Sequence, residues 1–275
     1  MEKAFVSIAR LALLRRIPVH ILYYRLTKAL AQFLIRSPWP SIPSSGKLII
    51  VADALMVHSE KKLVSIYFII VKRPEDSIAT ILPPYFGAAR ENDTDWLRAF
   101  AAMPEDVRAR VFCLVADGKR GLRLTAKRYG WLLQRCHFHA LGSFERRLSA
   151  RGRARKEGQV LHQAVLTTLR TKHENDVLLA IGQLTRLSLT VTSKMLRQMI
   201  REFIKNHKHF RTYLQFPQYH IPITTGSLES LNSLLRDMLR RARGLRTHRS
   251  LVAWVEGFVK YKKTITCNGS NFQPN

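Results

Sequence analysis

From Leu48 to Ala52 every position is apolar, and the run stops at Asp53. An unbroken apolar segment of this kind predicts a strand buried on both faces in the middle of a sheet. After a polar turn around His58–Lys62, the β-branched and aromatic stretch Leu63–Val71 predicts a second strand, hairpin-paired with the first. Ala79–Leu82 predicts a third, ended by Pro83 and Pro84. The period then changes: Trp96, Leu97, Phe100 and Met103 recur at helical spacing behind a cap from Asn92 or Asp93. Arg110–Asp117 is again a strand, and the intervening helix lets it run parallel to the first. A helix at Leu122–Tyr129 and a short strand at Trp131–Gln134 complete a mixed α/β layer.

From about Phe138 to Tyr213 only helical periodicity remains, with helices expected over Phe138–Ser149, Gln159–Thr171, Asn175–Leu187 and Ser193–His207. Beyond Pro217 and Pro222, helices are expected from Ser227 to Arg243 and from Ser250 to Lys262, followed by a frayed tail. The N-terminal stretch reads as one or two amphipathic helices. Arg15, Arg16, Arg25 and Lys28 interrupt every window long enough to span a membrane. Ser37–Lys47, rich in Pro and Ser, reads as a linker. The expected organisation is therefore an N-terminal helical segment with linker (1–45), a first part of an α/β core (46–140), a helical insertion (141–222), C-terminal core helices (223–265) and a tail (266–275).

Composition adds a partner to this outline. The 275-residue chain is 46% hydrophobic, enough for one sizeable core, yet its formal net charge is +27. The charge is lopsided: residues 1–117 carry 16 basic and 11 acidic side chains, residues 118–275 carry 30 and 8. Such an excess, rich in arginine, points to a polyanion, and the second half resembles an electrostatic footprint on nucleic acid. Three cysteines without CxxC spacing fit a reducing compartment and no disulfide framework. The absence of a signal-peptide pattern leads to the expectation of a cytoplasmic, nucleoid-associated protein with no membrane partner.

The candidate chemistry starts from a coincidence: Val51-Ala52-Asp53 and Val115-Ala116-Asp117 both end apolar strands on aspartate. Alone, each aspartate reads more readily as a turn or helix-cap residue. If the two strands are parallel neighbours, both carboxylates emerge at the same sheet edge, where α/β folds bind ligands. Two such carboxylates repel unless a cation lies between them, and hard oxygen ligands favour Mg²⁺ or Mn²⁺. A third acid lies on the helix after Thr225. There Leu228, Leu231, Leu235, Met238 and Ala242 make an apolar face, and Glu229, Asn232, Arg236, Arg240 and Arg243 repeat beside it. Glu229 also suits the first turn and the arginines the last as plain helix-dipole partners.

The stretches LIIVADA, LVADGKRG, RCHFH and TTGSLESLNSLLR, in this order over roughly Lys47–Lys262, resemble DDE transposases of bacterial insertion sequences related to the Mutator group. The resemblance implies a ribonuclease H-like mixed sheet flanked by helices, with an all-helical insertion before the last catalytic helix. It implies an Asp-Asp-Glu triad of Asp53, Asp117 and Glu229 that binds two divalent metals, Mg²⁺ or Mn²⁺. One metal would activate a water or 3′-hydroxyl and the other stabilise the leaving oxygen, without a covalent protein–DNA intermediate. Spacings of 64 residues between the aspartates and 112 from Asp117 to Glu229 accommodate the core and the insertion.

Cys136 and His139 match the C-x-x-H motif of this group, for which a role behind the ligands or in substrate positioning is expected. Zinc is disfavoured because two further ligands are missing. Lys119 and Arg120, between Gly118 and Gly121, are expected at a phosphate, and Asn232, Arg236, Arg240 and Arg243 as further DNA contacts. The implied partners are double-stranded DNA, namely terminal inverted repeats and target, and further copies of the chain in a dimer or larger oligomer. One departure stands out. Only about 45 residues precede the core, without cysteine, so a truncated copy or a remnant DNA reader in Phe5–Ile35 is expected. The alternatives are a transposase-derived, non-catalytic DNA-binding regulator and a ribonuclease H-like nuclease.

Overall fold

The expected hairpin is the longest pairing in the molecule. In the computed structural model, which describes residues 7–60, 62–148, 153–242 and 247–268, two helices come first, α1 (Ile8–Leu14) and α2 (Val19–Arg36). Strand β1 (Leu48–Ser59) then pairs antiparallel with β2 (Lys62–Lys72) from Ile49↔Lys72 to Ser59↔Lys62. Next come β3 (Ile78–Ile81), β4 (Tyr85–Gly87), α3 (Asp93–Ala101), α4 (Glu105–Arg110) and β5 (Val111–Ala116). They are followed by α5 (Arg120–Tyr129) and β6 (Leu132–Arg135). The sheet order is β6-β5-β1-β2-β3, extended by a C-terminal strand that pairs antiparallel with β3, while β4 sits on β2. Strands β1, β5 and β6 are parallel neighbours, as the helical crossovers require.

One expectation changes here. Asp53 is not at the end of β1 but inside it, six residues before Ser59. The reason is that β1 has two different neighbours. Its parallel ladder with β5 stops at Val51↔Val115, whereas the antiparallel ladder with β2 runs on to Ser59. Asp53 thus lies where one side of the strand has just lost its partner. Because Tyr85–Gly87 adds a short strand, Asp117 follows the fifth strand in chain order and not the fourth.

Helices cover both faces of the sheet. Leu48, Ile50 and Ala52 meet Trp96, Phe100, Val107 and Leu122 from α3–α5 in one buried cluster. Ile49, Val51 and Leu55 meet the other side, built by α11 (Gly226–Arg241) and α12 (His248–Lys262). In sequence, between β6 and α11, come α6 (His137–Leu148), α7 (Arg153–Arg170), α8 (Glu174–Thr190), α9 (Lys194–Lys205) and the single turn α10 (Thr212–Gln215). Helices α6–α9 enclose their own apolar cluster, including Leu141, Phe144, Leu161, Val165, Leu184, Leu196, Ile200 and Phe203. The expected all-helical region thus follows the strands.

The N-terminal helices dock on the body through α2 and α12: Leu34 O accepts from Lys260 Nζ at 2.8 Å. The Pro/Ser-rich segment is laid on the protein as well, with Trp39 packed against the core and the Lys260 ammonium over its ring at 4.8 Å. The expected frayed tail is ordered at its start: β7 (Thr264–Thr266) pairs with β3, and Cys267 is buried. No described helix is long and apolar enough to cross a membrane.

Candidate active site

Side chains alternate across a strand, so Asp53 shares the face of Ile49, Val51 and Leu55 and looks toward α11. Leu228, Leu231 and Leu235 are buried against that face, each worth about 2 kcal/mol, and they fix the helix so that its neighbouring positions meet Asp53. Asn232 Nδ2 donates to Asp53 Oδ2 at 2.7 Å. Asn232 was expected on DNA, but at 1% exposure it is turned inward and orients the carboxylate instead. Its Oδ1 is buried without a hydrogen-bond partner.

Glu229 occupies the first turn of α11, its N–H held by Thr225 O at 3.0 Å. From α6, His139 Nε2 approaches Glu229 Oε1 at 3.1 Å, and its Nδ1 faces Thr225 Oγ1 at 3.3 Å. Thr225 in turn donates to Cys136 Sγ, through its N–H at 3.2 Å and its hydroxyl at 3.4 Å. Cys136 therefore lies behind His139, linked to it through Thr225. Burial pushes its thiol up to about 11, so it stays protonated near neutral pH. His137 points away, buried, with Nε2 2.7 Å from Phe210 O.

Asp53, His139 and Glu229 each offer a ligand atom within 4.8 Å of the other two, and together they form a possible metal site. Burial raises the Asp53 carboxyl to about 8; Glu229, Asp117 and Glu91 add repulsion, opposed by a hydrogen bond from the Ala54 backbone. A carboxylate so destabilised as an anion is one that gains most from a cation. Two carboxylates and an imidazole form a mixed oxygen and nitrogen set that suits Mn²⁺ and admits Mg²⁺ with water in the remaining positions. His139 thus joins the possible ligand set, where only a supporting place was expected.

Asp117 lines the same cleft of about 770 Å³ but stands apart from these three. Its Oδ1 accepts from the Lys119 N–H at 2.9 Å, and its Oδ2 lies 3.3 Å from Lys119 Nζ. Lys119 also pairs with Glu91, a carboxylate whose side chain is only 7% exposed and which accepts from Trp96 Nε1 at 2.8 Å. Burial alone would lower the Lys119 pKa, but Asp117 and Glu91 reverse the sign and raise it. Glu91 went unnoticed in the sequence because it sits in a loop without periodicity.

Of the expected DNA contacts, Lys119 and Arg236 line the cleft. Arg120 is 79% exposed and lies 3.9 Å from Asp93, and Arg240 is paired with Asp237 at 2.9 Å. Arg243 lies outside the described residues. Met56, Phe138 and Met195 add an exposed apolar rim to the cleft. The chain matches no model of a known protein family and no curated protein.

Proposed function

We propose that the chain is a DDE-type DNA transposase, cleaving DNA at element ends and joining the freed 3′-end to a target in a divalent-metal-dependent reaction. The observation that supports this most is the meeting of Asp53 and Glu229, 176 residues apart in sequence, with Asp117 in the same cleft. A divalent ion, when bound, would supply charge neutralisation for displacement at a phosphodiester and ease deprotonation of the attacking oxygen. The chain's own groups do the rest. Asp53, Glu229 and His139 would hold the ion, Asn232 sets the angle of the Asp53 oxygens, and Thr225 with Cys136 fixes the His139 ring. Lys119 and Arg236 present cations to the cleft, where a phosphate would sit.

A second reading has its own support. With Asp117 held by Lys119 and His139 among the ligand atoms, the geometry also suits a single ion in a hydrolytic nuclease. Both readings are tested on supercoiled DNA with Mg²⁺ or Mn²⁺. Asp53→Ala and Glu229→Ala should lose nicking by about 100-fold or more, roughly 3 kcal/mol of barrier. Under the transposase reading Asp117→Ala loses it equally, and wild type joins a pre-cleaved 3′-end to target DNA. A chain that nicks but never joins is a nuclease. Wild type and Asp117→Ala that bind DNA alike and are both inert would leave a DNA-binding regulator.

A further inference from the structure

Helix α9 carries four cations at helical spacing, Lys194, Arg197, Arg201 and Lys205. At about 100° per residue they fall within roughly 80° of arc and extend about 16 Å along the axis. Opposite them, Leu196, Ile200 and Phe203 are buried in the helical insertion. Between the two faces, Met195, Gln198, Met199 and Glu202 line the cleft that holds Asp53, Asp117 and Glu229. A shallow groove along the cationic face shares Gln198 and Glu202 with that cleft, so the two surfaces are continuous.

The charge on this face is uncompensated from within. Glu202 is the only acid on α9, and its Oε1 is already taken up by Asn206 Nδ2 at 2.9 Å, Arg123 Nη1 at 3.4 Å and Arg135 Nη1 at 3.6 Å. The α9 carboxylate thus balances arginines of the core. Its four cations have no carboxylate within ion-pair distance among the described residues. A row of like charges on a fixed helix is unfavourable without a polyanion, and its length matches about five phosphates of one strand at about 3.4 Å per phosphate.

We propose that the cationic face of α9 is a track for the phosphodiester backbone of the DNA strand that leaves the cleft. It presupposes the polynucleotide substrate proposed above and assigns that strand a path over the helical insertion, which sets how much flanking DNA the protein needs. The contacts are to phosphate, so they add affinity and register without reading bases.

The test is a triple variant, Lys194→Ala with Arg201→Ala and Lys205→Ala, compared with Lys127→Ala, Arg128→Ala and Lys262→Ala at exposed positions outside the cleft, which remove the same charge. Binding of a fluorescent duplex is followed across salt concentrations, and metal-dependent nicking is measured on the same preparations. The α9 variant should lower the slope of log affinity against log salt by about 2–3, at about 0.9 per lost phosphate contact, and bind about tenfold or more weakly in low salt. The control variant should change neither by as much. Equal losses in both variants, or an unchanged slope in the α9 variant while wild type binds and nicks DNA, overturn the track alone. A wild type that neither binds nor nicks DNA overturns the polynucleotide reading itself. Melting curves of all three proteins show whether the variants are folded.

Discussion

Asp53 combines a strand, a helix and a charge problem in one side chain. Its carboxyl is raised to about 8 from an ordinary value of 3.8, first by burial and then by the acids around it. Folding therefore takes up a proton between those two values. The stabilisation from this group is complete below the unfolded value and is lost as pH rises through about 8. For the metal-free chain, the melting temperature should fall between about pH 4 and about pH 8 and level off above that, and Asp53→Asn should flatten that fall. With Mn²⁺ the sign reverses, because the ion needs the carboxylate: its stabilising effect should grow over the same range. Melts with chelator and with Mn²⁺ across this range decide the matter, and equal slopes for wild type and variant would remove Asp53 as the group responsible. At this scale the sequence was most informative for acids that end a regular pattern, Asp53 and Asp117 after apolar runs and Glu229 beside an apolar helix face. It said little about Glu91 and Asn232. Glu91 has no pattern around it, and Asn232 looked like a surface residue because its stripe is shared with Arg236 and Arg240, whereas close packing of α11 on the sheet turns it inward.

Between β5 and α5, Gly118 holds φ +81 and a Cβ there would collide with the Arg135 guanidinium. Both costs apply at one position: left-handed backbone strain of about 1–2 kcal/mol and a neighbour that is confined over the Phe210 ring at 4.8 Å. Gly118→Ala should lower stability by about 1–3 kcal/mol and shift the turn that presents Asp117 and Lys119. Nicking should therefore fall by more than the loss of folded protein explains, as read from activity per folded molecule; a variant with full specific activity would show that the turn geometry does not matter. Long elements were legible because their patterns repeat. Strands β2 and β5 and helices α6, α8, α9, α11 and α12 lie within a few residues of expectation, whereas α7 starts six residues early and β1 runs seven residues past Ala52. Short ones were not: β4 and β7 have three residues each, too few for any periodicity, and exist because an edge of β2 and of β3 was free to pair. The extension of β1 beyond Asp53 was hidden for a different reason. Asp53 interrupts a stretch that turns apolar again at Ala54–Val57, so the carboxylate reads as the strand's end although the ladder with β2 continues through it to Ser59.

The whole molecule carries +27, and this should make salt act on it in two opposite directions. In the free chain the like charges repel, most strongly in residues 118–275 with 30 basic and 8 acidic side chains. Raising salt from about 10 mM to about 150 mM shortens the Debye length from about 30 Å to about 8 Å and should raise the melting temperature of the free chain. If DNA is the partner, as proposed above, its phosphates would supply the counter-charge in the bound chain, and salt would remove them. With six to ten phosphate contacts, affinity should fall by about 10³ to 10⁵ between about 50 mM and about 200 mM salt, and the stabilisation by DNA should shrink accordingly. Melting curves with and without duplex should therefore converge from both sides as salt rises. A free chain indifferent to salt would mean that its charges are balanced locally, as Glu202 balances Arg123 and Arg135. A duplex whose effect does not weaken with salt would mean that phosphates are not what the basic surface holds.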